Sequence, residues 1–205
     1  MKQMKKYGLI FLAMNLVGVG VALFLENQLG SDSIALLCDG IYHVLPVSYG
    51  TASLLYNLLI ILVALVVARK NIGVGTIAYA LLSGYFIDFY CWVLHPLQMG
   101  QNHFAIRFLG YFLGQLCLSL ALAILIQLSL GMNALDAVLH KVHEKTKLPY
   151  AVLRTGTDFT YSAVGTLLGG TFGVGTVISI ASTGFLISCF SKAIQRLQKD
   201  KKGES

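Results

Sequence analysis

The chain has 205 residues, of which 56% are hydrophobic and 12% are charged, with a formal net charge of +6. A mean hydropathy of +0.73 excludes a large water-soluble domain, because such a domain needs a polar surface around its core. The composition indicates a protein whose main surroundings are the lipid bilayer. The basic residues form no patch interleaved with aromatic residues, so we expect no nucleic-acid partner.

Six apolar segments follow one another along the chain. Each can supply about twenty helical residues, the number that crosses a roughly 30 Å hydrocarbon core. The segments lack the alternation of barrel strands, and open sheet edges are not viable in lipid, so we predict an all-α integral membrane protein with six transmembrane helices. The predicted crossings are Tyr7–Glu26, Thr51–Ala68, Ile72–Leu94, Phe104–Leu130, Tyr150–Gly170 and Phe172–Ala193.

The second half of the chain repeats the first. A LeuGly pair at 29–30 opens a segment that reaches a GVGT tetrad at 73–76, and LeuGly at 130–131 opens one that reaches GVGT at 173–176. Other aligned pairs are Glu26 with Gln127, Asp32 with Asn133, Tyr49 with Tyr150, Asn57 with Asp158 and Gly84 with Gly184. Three crossings per copy force the second copy to enter the membrane upside down. We therefore predict two inverted three-helix repeats, residues 1–99 and 100–196, and a basic cytoplasmic tail, residues 197–205.

The basic residues predict the orientation. Thirteen of the fifteen lie at the N-terminus, in the second and fourth connections and at the C-terminal end. By the positive-inside rule, a multi-pass protein of the cell membrane with this pattern has both termini in the cytoplasm. The lipid bilayer is the first expected partner, and the sequence leaves a homodimer open.

A short connector follows the first crossing of each repeat, over Ser31–Val44 and Met132–Lys145. Each is too short to span and carries apolar residues on one helical stripe and polar residues on another. LeuGly marks the break in the chain, and Asp32 and Asn133 suit the N-cap position. Two arrangements stay open: a re-entrant helix whose N-terminus attracts an anion, or an amphipathic helix on the lipid headgroups.

Neither a metal site nor an enzyme is expected. Asp136, His140 and His143 have a spacing that could gather a metal, but the first repeat offers Ala35 and Tyr42 at two of these positions, and a solvated helix face explains the pattern equally well. No HExxH or GxSxG motif is present. We predict no cofactor, no metal and no catalytic residue.

Polar residues inside the crossings are the candidates for a site, because each costs several kcal/mol in hydrocarbon unless it is paired or faces a watery cavity. Asn57 and Asp158 are repeat equivalents, each about 10–12 Å deep from opposite faces. Arg154 lies one turn before Asp158, so the two form either a structural ion pair or part of a substrate or proton path. The candidate substrate- or ion-binding residues are Asp158, Arg154, Asn57, Asp136, Asp32 and Asp88. All but Asp88, which is nearer the outer face, should border one central cavity.

Several motifs resemble the YitT/YczE family of bacterial integral membrane proteins. They are SYGTAS at Ser48–Ser53, IGVGT at Ile72–Thr76, LRTGTDFT at Leu153–Thr160 and FGVGT at Phe172–Thr176. The resemblance covers nearly the whole chain. It implies a polytopic membrane protein with acidic positions at Asp136 and Asp158, and Ala35 departs from the acidic residue expected in the first connector. It implies no particular substrate.

Inverted duplication and embedded ionisable residues favour a secondary transporter that moves an unknown small-molecule substrate by alternating access. The alternative is a membrane accessory or sensor protein that acts through a partner without transport.

Overall fold

The computed structural model describes residues 2–69, 72–128 and 134–203. Over these residues it contains helices and no strand. Two 3₁₀ turns, His95–Leu97 and Met99–Gln101, connect the halves. The α-helices are α1 Lys2–Asn27, α2 Ser33–Val44, α3 Tyr49–Val67, α4 Val74–Leu94, α5 Phe104–Gln127, α6 Ala134–Thr146, α7 Tyr150–Leu167 and α8 Val174–Gly203. The predicted LeuGly break at Leu130-Gly131 and the cap at Asn133 lie outside the described residues.

Among the residues that the structure describes, five helices are long and apolar enough to cross a membrane. The spans are Lys6–Asn27, Tyr49–Val67, Thr76–Leu97, Phe104–Gln127 and Val174–Arg196. The fifth predicted crossing, over 150–170, forms a helix, α7, but it is shorter and less apolar than the five spans. Its 18 residues rise about 27 Å and include Arg154, Asp158 and several threonines. The fold is thus that of an all-α membrane protein with five clear spans.

The centre of the fold is the crossing of α1 and α5. Small residues allow the two backbones to approach, since a Cβ added to Gly20 would lie 2.9 Å from the Gly114 carbonyl oxygen. Ala13 of α1 and Ala121 of α5 are fully buried in the same cluster. Close packing of small residues is how membrane helices associate without a hydrophobic driving force. The α1–α5 pair also contacts α4 and α8, one on each side.

The short helix α2 packs along α7. A Cβ added to Gly40 would lie 2.5 Å from the Gly165 carbonyl oxygen, and the Thr171 amide donates a 2.7 Å hydrogen bond to Asp39 Oδ2. At the other end of α2, Ser33 contacts Asp158 in the middle of α7. Helix α2 therefore begins level with the middle of α7 and runs parallel to it. This position inside the bundle favours the re-entrant arrangement over a helix resting on the headgroups.

The break between α1 and α2 depends on backbone conformations that glycine adopts easily. Gly30 has φ +93° and packs against Gly173 and Thr176 at the start of α8. The Ser31 amide donates to Thr176 Oγ1 at 3.2 Å, and the Gly175 amide donates to the Leu29 carbonyl at 2.7 Å. These contacts fix the point at which the chain turns back into the bundle.

Candidate functional site: a central cavity

A cavity of about 530 Å³ lies at the centre of the bundle, and all eight helices contribute to its lining. We call its charged residues the charged cluster: Asp32, Asp136, Arg154 and Asp158. We call its aliphatic face the apolar wall: Leu118, Leu122, Leu125 and Ile126 of α5 with Ile180 and Ile187 of α8. A pocket with a few convergent polar groups and a largely apolar lining is typical of small-molecule sites, and its volume falls in their usual range of about 300–1,000 Å³.

Arg154 is the centre of the charged cluster. Its Nη1 lies 2.9 Å from Asp136 Oδ1, and its Nε lies 3.1 Å from Asp158 Oδ2. Tyr150 donates a 2.7 Å hydrogen bond to the same Asp136 oxygen, and Ser33 donates a 2.5 Å bond to Asp158 Oδ1. These bonds join α2, α6 and α7, so the guanidinium and its partners hold three elements together at the cavity.

Two helix N-termini also point into the cavity. Asp32 occupies the N-cap of α2, and Asp136 lies in the first turn of α6. Both residues line the cavity, as do Ser33 and Ala134, the first residues of the two helices. A helix N-terminus carries roughly half a positive charge, which stabilises nearby carboxylates. The LeuGly break at 29–30 therefore positions Asp32 at the start of α2.

Helix α3 of the first repeat contributes neutral polar groups where its counterpart α7 contributes charges. Ser53 and Asn57 of α3 align with Arg154 and Asp158 of α7, and both pairs lie one turn apart. Asn57 Nδ2 lies 3.4 Å from Ser53 Oγ, and both residues line the cavity. The cavity is thus charged beside α6 and α7 and neutral but polar beside α3.

Five of the six residues predicted for the site line this one cavity, and Asp88 lies elsewhere. Asp88 accepts hydrogen bonds from the Gly50 amide at 2.7 Å and from Ser48 Oγ at 2.6 Å. These donors belong to the N-terminus of α3, where a carboxylate satisfies free amides and interacts favourably with the helix dipole. The structure therefore gives Asp88 a capping interaction between α3 and α4, away from the cavity.

Sequence reasoning missed several polar residues of the lining. Ser33 and Tyr150 hold the two carboxylates, and Ser179 with Thr183 of α8 forms a second polar patch. The Ser179 hydroxyl donates to Gln115 Oε1 at 2.9 Å, and Gln115 Nε2 donates to Thr183 Oγ1 at 2.8 Å. One available signal is the spacing of Ser179 and Thr183, which lie one turn apart on the same face of an otherwise apolar helix.

Long apolar helices around a central cavity with a charged cluster define the class, an all-α membrane protein. A family model described as "Family of unknown function (DUF6198)" matches residues 4–192, and the chain belongs to this family. It is 25% identical over 195 residues to an "Uncharacterized protein" of Haemophilus influenzae, which covers 95% of this chain and 87% of that protein. No solved structure matches.

Two relatives come from Bacillus subtilis. "Uncharacterized protein YyaS" is 19% identical over 200 residues, covering 97% of this chain and 99% of that protein. "Uncharacterized membrane protein YczE" is 24% identical over 181 residues, covering 88% of this chain and 80% of that protein. The match to YczE confirms the resemblance to the YitT/YczE family that the sequence motifs indicated.

Proposed function

We propose that the protein is a secondary transporter of a small solute and that the central cavity is its substrate site. The observation that carries the proposal is the charged cluster, in which three carboxylates and one guanidinium line a cavity of about 530 Å³. Ionisable residues at membrane depth are costly, and they usually mark a substrate, ion or proton pathway. A purely structural ion pair would not require a cavity of this size beside it.

Equivalent interactions in the two halves support an inverted repeat. Tyr49 donates to the Ala35 carbonyl at 3.1 Å, and its counterpart Tyr150 donates to Asp136, the counterpart of Ala35. The contacts between helices repeat in the same way. The contact of α1 with α4 corresponds to that of α5 with α8, and the contact of α2 with α7 corresponds to that of α6 with α3. Inverted repeats that meet around a midplane site, with broken helices whose N-termini face it, are the architecture of many secondary transporters.

A difference between the halves supports alternating access. Between α3 and α4, Gly84 packs directly on the Gly50 carbonyl, and Asp88 reinforces the contact. In the second half, the counterpart Gly184 has open space where a Cβ would stand, and it lines the cavity. In this proposal the α3–α4 contact is a closed gate and the α7–α8 gap is an open one. During transport the α7–α8 gap closes and the α3–α4 contact opens.

The sidedness of the proposal follows from the basic residues. By repeat equivalence with the α3–α4 contact at Gly50, the α7–α8 gap lies near the start of α7 at Tyr150, three residues after Lys147, on the side where the positive-inside rule predicts cytoplasm. The proposed state is therefore open to the cytoplasm, in a cell-membrane protein with both termini inside.

A combined binding and flux experiment tests the proposal. Metabolite pools are screened for compounds that raise the melting temperature of the purified protein, because a ligand specific for the folded state stabilises it by mass action. The hits are then assayed for uptake into proteoliposomes. Asp158→Asn should abolish uptake and leave the protein folded, whereas the exposed-site control Glu144→Gln should transport normally. Full uptake by Asp158→Asn would remove this residue from the mechanism, and binding without flux would favour an accessory or sensor.

A further inference from the structure

The charges around the cavity do not balance. Three carboxylates, Asp32, Asp136 and Asp158, face one guanidinium, that of Arg154. The N-termini of α2 and α6 offset roughly half a charge each, which leaves about one negative charge. A net charge in a low-dielectric interior is costly unless a counter-charge accompanies it. The cavity therefore favours an occupant with a single positive charge.

Arg154 is unsuited to act as a receptor for an anion. Its Nη1 and Nε already contact Asp136 and Asp158, at 2.9 and 3.1 Å. The hydrogen bonds from Tyr150 and Ser33 fix the same two carboxylates. An anionic substrate would have to displace these carboxylates or lie beside them. Asp32 is outside this bridge and lines the cavity.

The apolar wall distinguishes an organic cation from a bare metal ion. Metal ions are held by converging oxygen, nitrogen or sulfur ligands, and no group of three or more acidic, histidine or cysteine side chains suited to this occurs in the part of the chain that the structure describes. The six aliphatic side chains of the apolar wall offer no ligand atoms to a metal ion. They would gain free energy by covering the hydrocarbon part of an organic molecule.

We propose that the cavity binds a monovalent organic cation, a protonated amine with an aliphatic body. Its ammonium group lies against Asp32 at the charged cluster, and its hydrocarbon part lies against the apolar wall. This assignment names the substrate class of the transporter proposed above and rests on that proposal only for its transport role. Binding itself is measured independently of flux.

A matched set of four-carbon compounds tests the charge preference. Purified full-length protein in detergent is titrated with n-butylammonium chloride, n-butanol and sodium butyrate at constant ionic strength, and binding is measured from calorimetry and melting temperature. We expect n-butylammonium to bind at least tenfold more tightly than n-butanol or butyrate. Equal binding of the three compounds, or preferential binding of butyrate, would overturn the assignment.

Two variants locate the site. Asp32→Asn should weaken n-butylammonium binding at least tenfold and leave n-butanol binding unchanged. The control is Glu144→Gln on the exposed face of α6, which removes one negative charge away from the cavity. Lys141 donates a 2.7 Å hydrogen bond to Glu144 and lowers the pKa of its carboxyl, so the control residue is ionised at neutral pH. If both variants bind n-butylammonium like the parent protein, Asp32 is not the ammonium site and the proposal fails.

A chain-length series tests the apolar wall without any mutation, so it remains decisive if Asp32→Asn does not fold. Affinity should increase from methylammonium to n-butylammonium by up to about fourfold per methylene, the gain expected for full burial of each CH₂ group. A flat series would show that only the charge is recognised and would overturn the organic part of the assignment. Selective binding without proteoliposome uptake would contradict the transporter and leave this inference intact. Uptake of an anion with no amine binding would support the transporter and contradict the assignment of an amine to the cavity.

Discussion

At the scale of single residues, Arg154 determines the character of the site. It contacts two carboxylates that come from different helices, and the side chains of Arg154 and Asp136 are each only 30% exposed. Ion pairs at this level of burial depend on each other, because the loss of one partner leaves the remaining charge without compensation. Asp88 illustrates the contrast, since backbone amides and a hydroxyl satisfy its carboxylate without any basic residue.

Arg154→Gln should lower the stability of the protein by about 1–3 kcal/mol, because Asp136 and Asp158 then face each other without the guanidinium. Thermal unfolding of the purified variant measures the effect. Adding Asp136→Asn and Asp158→Asn to Arg154→Gln should recover part of the loss. Arg196→Gln, an exposed position on α8, is the matched control and should unfold at the parent temperature. An unchanged melting temperature for Arg154→Gln would show that the bridge contributes little to stability.

At the scale of helices, glycine positions determine where the chain breaks and how closely helices pack. Gly30 turns the chain from α1 into α2, and Gly40 and Gly165 bring α2 against α7. Arg107 adds a polar contact at the end of α1, donating to the carbonyls of Asn27 and Gln28 at 2.9 and 3.0 Å. A basic side chain suits this position, because it satisfies carbonyls that the helix end leaves free.

Gly30→Ala should destabilise the protein by about 1–3 kcal/mol. Its φ of +93° is unfavourable for alanine, and the new Cβ would lie 2.7 Å from the Gly173 nitrogen. Gly156→Ala is the control: Gly156 is a helical position of α7 with no heavy atom within 4 Å of the added Cβ. Alanine there should leave the melting temperature unchanged or raise it, by about 0.5–1 kcal/mol of stability. Equal effects of the two substitutions would contradict the role assigned to Gly30.

Gly84→Val and Gly184→Val form a matched pair for the proposed gates. Valine at Gly84 overlaps the Gly50 carbonyl and should cost about 1–3 kcal/mol, the usual range for overpacking. Valine at Gly184 enters open space and should leave the melting temperature nearly unchanged. If transport requires the α7–α8 gap to close, Gly184→Val should nevertheless abolish uptake into proteoliposomes. Normal uptake by Gly184→Val would contradict closure at this position.

At the scale of the whole molecule, the orientation in the membrane decides which side the α7–α8 gap faces. In a cysteine-free background, a single cysteine at Lys145 should resist an impermeant thiol reagent added to intact cells and react after the membrane is opened. A cysteine at Gln101, in the connection between the two halves, should react from outside. This difference follows from the positive-inside rule. The reverse labelling pattern would invert the proposed topology.

Local properties of the sequence predicted the class of the protein and most of the helices. The length of an apolar run determines whether a helix can cross the bilayer, and the five predicted crossings that match the observed spans begin within three residues of the observed helices or spans. The break after Gly30 and the cap at Asp32 were also predictable, because they depend on a few neighbouring residues. The fifth crossing, over 150–170, remains a prediction, since charged and hydroxyl groups make α7 less apolar than the five spans.

The polar site was predictable only in part. Duplication matched Asn57 with Asp158, and helical spacing paired Arg154 with Asp158, because both relations are present in the order of the residues. The second contact of Arg154, to Asp136 on α6, and the bond from Ser33 on α2 to Asp158 depend on how separate helices pack. Asp88 and Asp158 are both acidic residues within apolar segments. Only the tertiary structure directs one to the end of α3 and the other to the cavity, because the partner of a side chain depends on which element packs against it.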